Sequence, residues 1–361
     1  MKNSFLILVC LLASTSSLAD ASHRKQAQPA ARAPESRGAF GPLAQATRRP
    51  LPCQDQIPDR DRPPNGPLLW GMKRRVPEDE ASSVLTSIGL DRVRLAGGAV
   101  KQVRLEKGRL VAPAAGAERF LGAVLQGTSS DGQPVEVALC SAEPDATDPA
   151  VVRYRIEVWN ADSATWKNPC VATYRVPTPR ALAVQGVWDQ SGARQEAPGR
   201  FTFACENGAI AKCIDWGYKP WERKDGRTLE DLHQACTRMA RADYCGNGRS
   251  HTREDTLIDM YDRLGLLTRT TVAAAGWDPA RASFEAAWTP EGAWCMARTR
   301  TGLALESILA ECPGRFETKA EDLGDGDRCT VSRKDGRSEA ALLRNHSYGH
   351  SEQAALHKAA P

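Results

Sequence analysis

Between positions 152 and 158 apolar and polar residues alternate without a break. Val152, Tyr154, Ile156 and Val158 fall on one side, and Arg153, Arg155 and Glu157 on the other. A period of two predicts a strand with one buried and one wet face. Val135, Val137 and Leu139 repeat the rhythm after the turn signal Asp131-Gly132. A weaker alternation runs from Val100 to Leu105 into a Lys107-Gly108 turn, and Phe201 and Phe203 lead into Cys205. Short strands separated by Gly, Pro and Asp predict an antiparallel sandwich or small barrel over residues 67–204. No internal repeat is evident.

The period then changes. Leu229, Leu232, Cys236 and Met239 are spaced as one face of an α-helix, with Asp231, Gln234, Arg238 and Arg241 on other faces. Thr228, followed by Asp231, has the spacing of a capping box. An unbroken helix from Cys236 to Cys245 would hold the two cysteines ~13 Å apart and half a turn out of phase. A bridge needs Cα atoms within about 7 Å. Both cysteines are therefore expected to bond elsewhere, unless the helix ends near Ala242 and the chain folds back. Gly246 and Gly248 suit a left-handed exit. A second helix is predicted from Thr252, with Leu257, Ile258, Tyr261 and Leu264 as its apolar face and Gly265 as its end. Trp277, Phe284, Trp288 and Trp294 add core beyond it. The expected class is α+β: an antiparallel β-rich N-terminal part packed with a disulfide-rich, partly helical C-terminal part over residues 205–335.

The ends change this picture little. Lys2, the apolar run Phe5 to Leu12 and the small residues Ala19 and Ala21 read as a signal peptide over residues 1–21. Cys10 lies inside that run, after a valine too large to precede a lipidated cysteine. Residues 22–66 are rich in Pro, Ala and Arg and too poor in large apolar side chains to offset ordering entropy, so a disordered linker is expected. Cys53 is placed to tie its far end to the body. The polar run 336–361, with His346, His350 and His357, reads as a frayed tail rather than a metal site. No later stretch approaches the ~20 apolar residues of a spanning helix.

Of the 11 cysteines, setting Cys10 aside leaves an even set: Cys53, Cys140, Cys170, Cys205, Cys213, Cys236, Cys245, Cys295, Cys312 and Cys329. In an exported chain this reads as disulfides, with the pairing open. Zinc would call for CxxC-type ligand pairs, and the sequence has none. The net charge of +4 is small and dispersed, which argues against nucleic acid as a partner. No cofactor or metal is expected, and any partner is an envelope or extracellular ligand of a secreted or periplasmic protein.

The block from Lys212-Cys213 through Trp216-Gly217-Tyr218-Lys219-Pro220-Trp221 to Ala235-Cys236 and Ala242-Asp243-Tyr244-Cys245-Gly246 resembles the ADYC domain. That is a family of exported bacterial proteins named for the Ala-Asp-Tyr-Cys string. The resemblance implies a fold unit with fixed cysteines and tryptophans, and brings no mechanism with it.

Within that block, His233, Asp243 and His251 form the one set suited to general acid–base work, provided they meet in a cleft. The competing expectation is that Asp243 binds turn amides and the histidines hold loops. Trp216, Tyr218 and Trp221 offer an aromatic platform for a sugar or peptide, or simply pack on the bridges, with Pro220 keeping the segment a loop. Gly246-Asn247-Gly248-Arg249 has the composition of an anion nest. Asp255, Asp259 and Asp262 would form an acidic helix stripe. Asp322, Asp325 and Asp327 fit an Asx/Gly turn better than an EF-hand. GxSxG, HExxH and Walker A motifs are absent. The expected role is a binding or envelope-structural module, with an extracytoplasmic hydrolase using His233, Asp243 and His251 as the alternative.

Overall fold

A computed structural model describes residues 49–349, apart from 55–71, 74–82, 85, 96–97, 114–119, 131, 171, 173–175, 254–255, 275 and 336–340. Within these residues the first half closes into a barrel. Its strands are β1 (Thr86–Leu95), β2 (Val124–Ser129), β3 (Pro134–Pro144), β4 (Val152–Asn160), β5 (Ala181–Gln185) and β6 (Arg200–Cys205). Each pairs antiparallel with the next, and β6 returns to β1 through Phe201 opposite Ile88. The result is an up-and-down barrel, the smaller of the two architectures the alternation allowed. Closure removes the unpaired edges an open sheet would carry. Ile88, Leu125, Val137, Leu139, Tyr154, Ile156, Phe201 and Phe203 fill its interior. Burying a large apolar side chain contributes about 1.5–3 kcal/mol. The Tyr154 hydroxyl accepts from the Leu110 amide at 2.9 Å and donates to Gly108 O at 3.2 Å, which fixes a hairpin of Arg104–Glu106 and Arg109–Val111. The Lys107-Gly108 turn stands as expected, although the strands begin later than the Val100 pattern implied.

Two helices follow, α1 (Ala209–Asp215) and α2 (Glu230–Arg241). Ala209, Ile210 and Ile214 of α1 pack on Leu182, Val184 and Ala204, outward-facing residues of the barrel wall. Leu229, Leu232, Cys236 and Met239 pack toward Ala286, Trp288 and Met296 of a second sheet, as their spacing predicted. Two details differ from the sequence reading. Leu229, not Thr228, is the N-cap, without a side-chain cap bond; Thr228 pairs in a short hairpin instead. Gln234, Arg238 and Arg241 are buried, because beyond its exposed first turn the helix is packed on nearly every side. Gln234, for example, accepts from the Trp188 indole N–H at 3.0 Å and donates to Gly192 O at 2.8 Å.

The second sheet has the order β7 (Ile258–Asp262), β12 (Leu343–Tyr348), β8 (Ala282–Thr289), β9 (Gly292–Met296), β11 (Arg328–Arg333) and β10 (Phe316–Asp322), all antiparallel, with α3 (Leu305–Glu311) between β9 and β10. Two expectations fall here. The helix from Thr252 does not form. Ile258 and Met260 pack on the core at strand spacing, and Ile258–Asp262 pairs residue by residue with β12. Long-range pairing outweighs the local 3.6-residue pattern. The supposed frayed tail also supplies β12, the strand inserted between β7 and β8, so His346 is buried beside Asp327 rather than loose. His350 and His357 lie outside the described residues, as do the signal peptide and most of the expected linker.

All ten cysteines pair: Cys53–Cys140, Cys170–Cys205, Cys213–Cys236, Cys245–Cys312 and Cys295–Cys329. Cys236 and Cys245 do bond elsewhere, and α2 does end at Ala242, which takes a left-handed conformation with φ 50°.

Candidate functional site

The Ala-Asp-Tyr-Cys string builds a corner. Ala242 ends α2, and Asp243 turns back to bind Arg238 at 2.6 Å. Its carboxylate also accepts the amides of Asn247 at 3.1 Å and Gly248 at 3.0 Å. The expected anion nest therefore exists, but the chain's own aspartate fills it. Tyr244 stacks on Trp288 at 5.3 Å and donates to Glu285, while Cys245 bonds to Cys312. Gly246 sits at φ 65° where its backbone presses on Gly292 and Glu291. A Cβ at either glycine would collide with backbone.

His233, Asp243 and His251 do not form a catalytic set. His233 is fully buried and bonds Ile210 O at 3.0 Å. Burial holds its pKa down to about 4, so it is neutral at pH 7. The His251 ring bonds Ala242 O at 3.2 Å and Glu311 at 3.0 Å. None of the three side chains bonds to another. His233 ties α2 to α1, Asp243 ties the turn after α2 back to that helix, and His251 ties its loop to Ala242 and α3.

The aromatic platform is also dispersed. Tyr218 is fully buried and donates to Asp262, Trp216 packs on the sheet core, and Trp221 packs on the α1 cluster beside Gly108. The acidic stripe is absent for the same reason as its helix. Asp259 accepts from Thr270, Asp262 from the amides of Leu264, Leu266 and Leu267, and Asp255 is outside the described residues. Asp322 accepts the Gly324 amide, the Asx turn expected of that loop.

An aromatic clamp occurs elsewhere. Trp159 and Trp166 face each other across the hairpin after β4, with ring centroids 5.5 Å apart. The Arg49 guanidinium lies over both, 3.9 and 4.6 Å from the ring centroids, and pairs with Glu136. The Trp166 indole donates to Pro50 O, the Cys53 amide donates to Glu157, and the Cys53–Cys140 bridge completes a strap over residues 49–54. Cys53, Cys140 and Glu157 bring their ligand atoms within 4.8 Å of one another. With the sulfurs bonded to each other, this is a staple and not a metal ligand set.

The open site lies on the barrel's outer wall beside that strap. A cavity of about 740 Å³ runs over β3 and β4, beneath residues 176–180 and the end of α1. Arg153 forms its floor, with Asp145 at 2.5 Å, Glu206 at 3.2 Å and Asp215 at 2.8 Å. Burial works against the Arg153 charge, but Asp145 and Asp215 outweigh it and raise its pKa. Burial would likewise lift Asp145, yet bonds from Thr147, Arg153 and the Thr147 and Asp148 amides hold it well below the usual carboxylate range. Asp215 is the opposite case. Burial, with the neighbouring charges of Asp145 and Glu206, lifts it despite Arg153. Arg180 binds Glu206 at 3.4 Å and lies 3.6 Å from Glu143.

Three bridges brace these walls. Cys53–Cys140 adjoins Ser141, Cys170–Cys205 anchors the loop that carries Thr178 and Arg180, and Cys213–Cys236 holds the helix that ends in Asp215. Arg155 is the exception in this closed arrangement. It is half-buried, lines the cavity and has no hydrogen-bond or ion-pair partner among the described residues. The alternation of β4 read Arg153, Arg155 and Glu157 as a wet face. Two of the three are in fact buried, Glu157 under the Cys53 strap and Arg153 among the carboxylates that line the cavity.

The geometry defines a disulfide-stapled β protein with a braced polar cavity on its barrel wall. The chain matches the ADYC domain over residues 117–302 and belongs to that family. No curated protein and no solved structure matches it.

Proposed function

We propose that this chain is an exported binding protein whose cavity captures a small ligand through an anionic group on Arg155. Five bridges support export, since disulfides persist in oxidising compartments. One observation carries the binding reading. A half-buried guanidinium lines a cavity with no partner among the described residues, while Arg153 and Arg180, which also line it, are paired. A partly desolvated cation without a counter-charge is costly unless something supplies one. The volume lies within the usual range for small-molecule sites. Bridges hold the walls before any ligand arrives, which lowers the ordering cost of binding.

The test is thermal unfolding of the oxidised chain with and without small carboxylates, inorganic phosphate and sulfate. At least one is expected to raise the midpoint in wild type and not in Arg155→Gln. If none does, or if Arg155→Gln responds equally, the reading fails.

A further inference from the structure

The cavity is polarised. At its floor, two guanidinium groups, Arg153 and Arg180, face the four carboxylates of Glu143, Asp145, Glu206 and Asp215. That end has an excess of negative charge. Arg155, two positions along the strand from Arg153 and opposite Ser141, is a positive charge with no partner among the described residues. Two of the carboxylates are also incompletely used. Asp215 gives only Oδ1 to Arg153, its side chain is 34% exposed, and Oδ2 has no partner among the described residues. Glu143 is 60% exposed and meets Arg180 only at 3.6 Å.

An anion alone would satisfy Arg155 and leave the carboxylate excess untouched. A cation alone would do the reverse. Building on the Arg155 reading, we infer that the cavity takes a zwitterion of the amino-acid or short-peptide class, with its carboxylate on Arg155 and its ammonium against Asp215 and Glu143. Planar, forked donors suit a carboxylate at Arg155. An ammonium presents three donors to oxygens that lack them. Burial and the charges of Asp145 and Glu206 make the ionised form of Asp215 unfavourable, a cost that a bound ammonium relieves. At about 740 Å³ the cavity has room for more than a single residue.

Calorimetric titration of the oxidised full chain tests this with three matched libraries. One holds unblocked amino acids and di- and tripeptides, the second is N-acetylated and the third C-amidated. The unblocked library is expected to bind, and each blocking group to weaken binding at least tenfold. Asp215→Asn should abolish discrimination against acetylation while keeping that against amidation. Arg155→Gln should do the converse. If Asp215→Asn does not fold, Glu143→Gln takes its place, with the same loss of discrimination expected.

Acetylated ligands binding as tightly as free ones would overturn the zwitterion and leave the Arg155 anion site standing. Binding that ignores amidation and survives Arg155→Gln would overturn both. Silence from all three libraries would overturn the zwitterion, with the small-anion unfolding assay then deciding the Arg155 reading by itself.

Discussion

The two halves of the molecule treat charge in opposite ways. The sheet half buries it and closes it. Glu285 is fully buried and accepts from Arg300 at 2.9 and 3.0 Å, Asn345 at 3.0 Å and Ser347 at 2.6 Å. Asp327 is enclosed by His346 at 2.9 Å, Tyr261 at 2.5 Å and Arg344 at 3.1 Å. The barrel half keeps its interior apolar and carries charge on its outer wall, where one arginine is left open. A saturated buried network rigidifies and specifies a fold. An unsaturated one that reaches solvent is where a ligand has something to add. The named motif thus builds the architecture, and the cavity proposed to bind ligand lies outside it.

The sharpest break of this comparison is Glu285→Ala. It strands Arg300 in the core, and removing one partner of a buried pair costs about 3–5 kcal/mol. Urea unfolding should show that loss, and Tyr244, which also bonds Glu285, should become mobile in hydrogen exchange. A cost below about 1 kcal/mol would mean the network is not closed.

Cys170→Ser with Cys205→Ser comes next. The bridge spans 35 residues, and its loss is expected to cost about 3–4 kcal/mol through the unfolded chain. Because it anchors the loop over the cavity, ligand affinity should fall as well. Removing Cys295–Cys329 in the sheet should lower stability but leave affinity alone.

Acid should then act through His233. Its pKa falls from the ordinary 6.5 to about 4 on folding. Between those values the unfolded chain binds a proton that the native chain refuses, so stability falls as pH drops from 6.5 toward 4, by about 3 kcal/mol in all. His233→Gln should flatten that segment of a stability–pH curve. Glu285 and Asp327 add a later loss. In both, burial is outweighed by partner groups that lower the pKa. The stability they contribute is full above the ordinary carboxylate range and disappears as pH falls through their lowered values.

What the sequence revealed follows the range of the interactions. The alternation of Val152 to Val158 identified a barrel strand, and the even cysteine count implied complete pairing, because both signals are local or arithmetic. The face of α2 was legible from Leu229 to Met239 for the same reason. The strand at Ile258 was not, since its identity depends on residues 343–348 far along the chain. Arg155 was visible only as a polar position on a wet face. Its lack of a partner depends on where Asp145, Glu206 and Asp215 go, and they go to Arg153. The Trp159–Trp166 clamp had a signal, two tryptophans flanking the turn Asn160-Ala161-Asp162-Ser163, but its occupant came from Arg49, over a hundred positions away.

The smallest expected effect on stability separates the two halves most cleanly. Arg153 and Arg155 are two positions apart on one face of one strand. Arg153→Ala removes the centre of a cluster and leaves three carboxylates facing one another, so it should cost about 3 kcal/mol or more. Arg155→Ala removes a side chain that bonds nothing among the described residues, so it should not lower stability, and relief of its desolvation should raise it by up to about 1 kcal/mol. On the proposed reading, that guanidinium serves something that enters the cavity rather than the fold. If urea unfolding gave Arg155→Ala a cost like that of Arg153→Ala, Arg155 would be one more closed contact, and the contrast between an open barrel wall and a sealed sheet would collapse.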